Sequence, residues 1–266
     1  LLNHMTKEET LFQRRLIDLA NLADQRNIVL FSDFLSLNEL NIYHSSKKEL
    51  GFVTCRLFGG YESAERQMIA FIPDALSYDI GSEAADLPYG WEYPFSCIRI
   101  LPLNEKYADK LTHRDFLGAI LHIGIERSKI GDILLTDDGT YVFCHNTMTD
   151  LLCQELTHIR HTSVYAQSTS LQDFSWKPSY ETVHGTVASL RLDSLLSLAF
   201  GSSRSSLTSL VENGSVFVNG RLTTSNGYKL KENDIISVRG YGKFKYIQTL
   251  SETRKGRLSV EILRYK

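Results

Sequence analysis

Four short segments carry the residue pair that closes the first turn of a helix: Thr6 with Glu9, Ser36 with Glu39, Thr112 with Asp115, and Thr147 with Asp150. β-rich runs separate most of them, so the chain can be neither all helix nor all strand. The first pair predicts a helix with Phe12, Leu16, Leu19, Ala20 and Ala23 on one face. The second predicts a shorter helix ending near Lys48, before Gly51. Residues 52–58 and 66–72 then read as a hairpin around Gly59-Gly60. Further on, a strand at 95–101 is followed by a helix from Thr112 to Gly124. Strands at 132–136 and 141–145 flank the turn Asp137-Asp138-Gly139, a helix runs from Thr147 to about Arg160, and a last strand covers 162–167. This β-α-β-β-α-β order is that of a ferredoxin-like split unit.

Trp176-Lys177-Pro178-Ser179 holds the last proline and marks a domain boundary. Beyond it, Leu192, Leu195, Leu196 and Ala199 form one helical face, and Leu207, Leu210 and Val211 a second, with Gly201 between them. Short strands follow at 216–218 and 235–239, with turns at Asn219-Gly220 and Asn226-Gly227. A terminal hairpin is expected from 244–250 and 258–263. The expected organisation is α+β: a helical N-terminal region at 1–50, a ferredoxin-like (RRM-like) domain at 51–178, and a small α/β module at 179–266.

The net charge of -2 hides an asymmetry. Residues 1–184 hold 16 Lys+Arg against 25 Asp+Glu, whereas residues 185–266 hold 13 against 6, a net of +7. A basic segment on an acidic body is the electrostatic outline of a polyanion reader. No apolar run approaches the length of a membrane span, and the opening residues are too short and polar for a signal peptide, so a cytoplasmic chain with no membrane partner is expected. Cys55, Cys97, Cys144 and Cys153 form no C-x-x-C pair, which argues against a zinc knuckle or a disulfide framework. No Walker loop, dinucleotide fingerprint or Ser-His-Asp elbow is present, and neither a cofactor nor a bound metal is expected.

In the basic segment, Arg191 precedes the first helix and Arg204 begins the second, where cations and free backbone N–H groups can meet phosphate oxygens. Ser203 and Ser205, with Ser202 and Ser206, add donors. Arg221, Lys229, Lys231, Arg239, Lys243 and Lys245 decorate the strands and turns. A single lysine such as Lys229 reads as a dispersed solvated charge, so the two arginines carry the expectation. His113 and Arg114 begin a helix in the middle domain and are a candidate second phosphate site.

Arg191-Leu192-Asp193, Ser203-Arg204, Leu210-Val211-Glu212-Asn213-Gly214, Val216-Phe217-Val218-Asn219-Gly220 and Asp234-Ile235-Ile236-Ser237-Val238-Arg239-Gly240 resemble the S4-type RNA-binding domain. Asn233 stands where that family usually has Gly, so a strained or differently shaped turn is expected there. With His113-Arg114-Asp115-Phe116-Leu117-Gly118, Arg127-Ser128-Lys129-Ile130-Gly131-Asp132-Ile133 and 237–244, the chain resembles the bacterial YlmH family over most of its length. The resemblance implies an RRM-like middle domain and an RNA-binding C-terminal module. It also implies association with the large ribosomal subunit, contact with rRNA or peptidyl-tRNA in rescue or quality control of stalled translation, and a genetic link to cell division.

Other constellations in the chain point elsewhere. Arg191-Leu192-Asp193 is also similar to the catalytic segment of pseudouridine synthases, which would make the chain an RNA-modifying enzyme, but the downstream Thr and Gly are missing and no catalytic residue is assigned. An adaptor role in cell division is a third class. His122-Ile123-Gly124-Ile125 lacks the second His of a synthetase nucleotide site. His158, Arg160 and His161 read as the cationic end of a helix. Tyr141 and Phe143 alternate as RRM aromatics do, but without the Gly-rich RNP pattern they read as packing residues.

Overall fold

The computed structural model describes residues 5–78, 80–171, 174, 176 and 178–265, with only the backbone of Arg204 and Ser205. The chain divides into two compact units, residues 1–176 and 177–266. Among the described residues the strands form three antiparallel sheets.

The first unit opens with α1 (Lys7–Arg26), β1 (Leu30–Phe31), α2 (Leu37–Ser45), β2 (Val53–Phe58) and β3 (Met68–Pro73). Both helices start on reciprocal caps. The Thr6 hydroxyl accepts from the Glu9 N–H at 3.1 Å while the Glu9 carboxylate accepts from the Thr6 N–H at 2.8 Å, and Ser36 and Glu39 repeat the arrangement. Strand β3 lies between β1 and β2 and is buried along its whole length, as its continuous apolar run Met-Ile-Ala-Phe-Ile requires. Ile69 and Phe71 pack with Leu16, Ala20, Leu40 and Tyr43 of the two helices. Met68, Ala70 and Ile72 face the other way, into a core shared with Phe95, Cys97 and Phe143.

Those last residues belong to the ferredoxin-like part: β4 (Phe95–Pro102), α3 (His113–His122), β5 (Ile130–Thr136), β6 (Gly139–His145), α4 (Asn146–Glu155), β7 (His158–Ile159) and β8 (Thr162–Thr169). The order β5-β6-β4-β8-β7 keeps the first and third strands of the split unit central, with β7 added at one edge. Ile98, Ile100, Val142 and Cys144 pack beneath α3 and α4 against Phe116, Ile120 and Leu152. Two expectations fail here. The cap of α4 is His145, whose Nδ1 accepts from the Thr147 N–H at 3.2 Å, not the Thr147/Asp150 pair. The helix also ends at Glu155, and His158, Arg160 and His161 lie in the β7–β8 hairpin instead of closing it.

The second unit comprises β9 (Tyr180–Val187), α5 (Leu192–Phe200), α6 (Arg204–Glu212), β10 (Val216–Val218), β11 (Arg221–Leu222), β12 (Ile235–Val238), β13 (Gly242–Glu252) and β14 (Leu258–Tyr265). Its sheet runs β11-β10-β12-β13-β14-β9, and β9 was not foreseen. Leu192, Leu195, Leu196, Leu207 and Val211 of the helices pack on Val216, Ile236, Phe244, Tyr246 and Val260 of the sheet. Gly201, at φ 63°, breaks the two helices apart in a left-handed conformation. Asn219-Gly220 turns with both φ positive, as a tight hairpin of type I′ demands.

Candidate nucleic-acid interface

At the start of α5 the backbone is fully engaged. Leu192 N–H donates to the Tyr228 carbonyl at 2.8 Å and Asp193 N–H to the Asn226 carbonyl at 3.2 Å, while the next two amides return to the Arg191 carbonyl. The expectation that this helix start offers free N–H groups to a phosphate is therefore corrected: the loop at 226–228 has taken them. The contact charge must come from side chains.

Arg191 is the N-cap residue, and its guanidinium is held by Asp193, Nε on Oδ1 and Nη2 on Oδ2, both at 3.2 Å. The group lies over Gly227, where an added Cβ would sit 3.7 Å from it. Burial pushes the Asp193 carboxyl up, but the hydrogen bonds and charge of Arg191 outweigh this and hold it below the ordinary carboxylate range. An aspartate so engaged orients the arginine. Lys229 is bridged to Arg191 across the chain. The bridge sets the two positions side by side along the backbone, and Lys229 is exposed.

Arg204 starts α6, which follows α5, a helix about 13 Å long at 1.5 Å per residue. The side chains of Arg204 and Ser205 lie outside the described residues. Ser203 caps α6, its hydroxyl accepting from the Ser206 N–H at 3.4 Å. The remaining cations divide by sheet face. Phe244 and Tyr246 enter the core under the helices, so Lys243 and Lys245 stand on the opposite face, where Lys243 Nζ lies 4.4 Å from the Tyr265 ring. The Arg239 guanidinium covers Phe217 at 5.1 Å. Arg221 and Lys231 are exposed beside turns.

Those turns are pinned by Asp234, which is buried and accepts from Asn219 Nδ2 at 2.8 Å and from the Lys231 N–H at 2.7 Å. Asn233 has a φ of 70°, so the position does need a left-handed residue, and Asn tolerates it where Gly would be usual.

The first unit presents a different picture. Phe143 is fully buried, its ring against Tyr61, Phe95 and Phe174. The Tyr141 hydroxyl donates to Asp138 at 2.7 Å. The sheet face on which RRM domains stack bases is covered here by the β1-β3-β2 layer. His113 and Arg114 are exposed at the start of α3. Desolvation and the Arg127 guanidinium hold the His113 imidazole below its ordinary value, so it is neutral at pH 7. The structure separates the pair, since Arg114 lines a groove with residues of the β7–β8 hairpin and His113 does not. The hairpin placement of His158 and Arg160 had no signal in the sequence, because the turn holds no Gly or Asn. Among the described residues no cluster of three or more His, Cys, Asp and Glu could hold a metal, and no helix is long and apolar enough to cross a membrane.

Residues 92–173 match the family described as "Putative RNA-binding domain in YlmH", and residues 190–236 match the S4 domain. The ribosome-associated protein quality control protein P2 of Bacillus subtilis (strain 168) is 27% identical over 267 residues, spanning 99% of this chain and 98% of its own. A solved structure, the cell division protein ylmH from Streptococcus pneumoniae, is 18% identical with a TM-score of 0.49, covering 65% of this chain and 98% of its own.

Proposed function

We propose that the chain, which matches the YlmH RNA-binding and S4 domain families, is a YlmH-type protein acting as a non-catalytic, cytoplasmic factor that binds structured RNA on the large ribosomal subunit. Its ligand is rRNA, with peptidyl-tRNA as the second partner during rescue of stalled translation, in keeping with the quality-control role in the name of its Bacillus relative. The observation that carries the reading is the Arg191 guanidinium held by Asp193 at the start of α5, with Lys229 across a backbone bridge, in the half of the chain that holds the net positive charge. Asp193 supports binding over base modification, because both its oxygens are committed to Arg191.

Arg191 and Arg204 dominate the affinity, since an oriented guanidinium forms charge-assisted contacts that a lysine cannot reproduce. Arg204→Lys is expected to weaken ribosome association, and Arg191→Ala with Arg204→Ala to abolish co-sedimentation with the large subunit while leaving thermal stability nearly unchanged. Each lost contact costs about 1.5 to 3 kcal/mol. The test is a salt titration of co-sedimentation, with and without ribonuclease, using Lys255→Ala in the β13–β14 turn as the control. Equal losses from Lys255→Ala and Arg204→Ala would mean a diffuse patch and end the two-arginine assignment.

A further inference from the structure

The ferredoxin-like part carries a cationic groove of about 470 Å³ between α3 and the β7–β8 hairpin, lined by Arg114, His122, His158 and Arg160 over a floor that includes Gly118. Its acidic residue is Asp115. That carboxylate is already engaged, accepting from the Thr112 N–H at 2.8 Å and the Thr112 hydroxyl at 2.7 Å, and pairing with Arg160 Nε at 2.6 Å. The bridge through Nε fixes the Arg160 guanidinium and leaves its two terminal nitrogens without a protein partner among the described residues. Arg114 is exposed and likewise without an ion pair among them.

Two departures from ordinary local chemistry meet at this groove. Arg160 has a φ of 54°, a left-handed conformation that Gly or Asn would adopt at lower cost, and strain of this kind collects at functional sites. Gly118 sits inside α3, where it weakens the helix relative to Ala. A Cβ at 118 would meet nothing within 4 Å, so no internal packing requires this glycine. What it keeps clear is the groove floor, and the close approach of backbone to a ligand is one of the settings that calls for glycine.

We propose that this groove is a second seat for the RNA backbone, with phosphates held between Arg114 and Arg160, His122 as a further donor, and the strand lying against the bare helix at Gly118, while His158, its ring engaged by Thr157 and Ser163, forms part of the wall. It rests on the RNA-binding reading above but uses a surface distinct from the S4 module. It also gives the first unit an RNA contact although its sheet face is covered.

The test uses the full-length chain and a labelled RNA hairpin with single-stranded flanks, its affinity followed by anisotropy over a salt series. Gly118→Leu is expected to keep or raise the melting temperature and yet to weaken binding about tenfold, the loss of one charged contact. Arg114→Ala, which removes an exposed side chain and leaves the fold intact, is expected to weaken binding and to lower the salt slope by about 0.7 to 0.9 for the phosphate lost. Wild-type affinity and slope in both variants would overturn the proposal, as they would if the groove received an acidic protein segment. Arg191→Ala with Arg204→Ala runs in the same assay. Loss there with none in the groove variants removes the groove alone, and the reverse pattern removes the S4 assignment alone.

Discussion

Gly131 has no room for a side chain: an added Cβ would stand 2.7 Å from Phe34 Cε1 and 2.9 Å from Phe143 Cβ. Around it the segment 127–133, one of those that carried the family resemblance, works as a clasp inside the first unit. The Asp132 carboxylate accepts from the Tyr61 hydroxyl at 2.6 Å and from the N–H groups of Glu65 and Arg66 at 2.7 and 3.1 Å. The buried Arg66 guanidinium donates to the carbonyls of Ile130, Phe34 and Arg127 at 2.8, 3.0 and 3.1 Å. Burial and the nearby Arg66 push the Arg127 guanidinium down to about 10. Gly131→Ala is therefore expected to destabilise the chain by about 1 to 3 kcal/mol through overpacking. Thermal melting reads the loss. RNA affinity measured well below the transition should match wild type, because no proposed contact residue is touched, and an unchanged melting temperature would show that the two rings can move aside. The motif was legible in the sequence; its reason was not, since Phe34 and Phe143 reach it from 97 residues upstream and 12 downstream.

Helix α4 begins on a neutral imidazole. His145 Nδ1 must be unprotonated to accept from Thr147, and an imidazolium there would also oppose the positive end of the helix dipole. Desolvation and the Lys129 charge hold this His below its ordinary value, and His113 on α3 is shifted the same way by desolvation and Arg127. A base whose folded pKa is lowered leaves the unfolded chain to bind the proton first. Stability is then complete above about pH 6.5 and falls as the pH drops through the window toward the folded values. The melting temperature is expected to decline as the pH falls below about 6.5, and His145→Asn, a neutral cap of the favoured kind, should flatten much of that slope. A wild-type profile that stays level to pH 5 would dismiss the imidazole cap. The same element shows where sequence reading stops. The helix starts at Thr6, Ser36 and Thr112 were legible because their cap chemistry is local, whereas imidazole is outside the usual capping set and Thr147 with Asp150 imitates the pattern two residues later. Helix α4 was read too long because Arg160 takes a left-handed turn that carries no Gly or Asn to announce it. Strand β9 escaped because its outward residues Tyr180, Thr182 and His184 alternate with Glu181, Val183 and Gly185, which gives no apolar face.

The contrast in charge between residues 1–184 and 185–266 underlies the proposal that the main RNA surface lies in the second unit, but the boundary of charge is not the boundary of folding. Strand β9 pairs with β14 along its whole length, from Leu258 with Val187 to Tyr265 with Tyr180, and Arg264 bridges Glu181 at 2.5 Å. A fragment cut at the charge boundary, 185–266, keeps every basic residue proposed for RNA in the S4 module yet strips Tyr180–His184 from the sheet, leaving most of β14 as an unpaired edge. Such an edge invites association with other chains. A fragment of residues 178–266 retains the strand and the core of α5, α6 and the six-stranded sheet. It is expected to fold as a monomer, to keep most of the RNA affinity of the full chain, and to lose it steeply as salt rises, because counterion release drives the binding. The fragment 185–266 should melt lower or aggregate despite its higher net charge. Residues 1–176 should bind weakly, through the groove between α3 and the β7–β8 hairpin alone. Size-exclusion chromatography, thermal melting and anisotropy on the three fragments separate these expectations. If residues 1–176 bound as tightly as 178–266, the placement of the principal surface in the S4 module would have to be abandoned. Equal behaviour of the two C-terminal fragments would mean that β9 contributes nothing to the stability of that module.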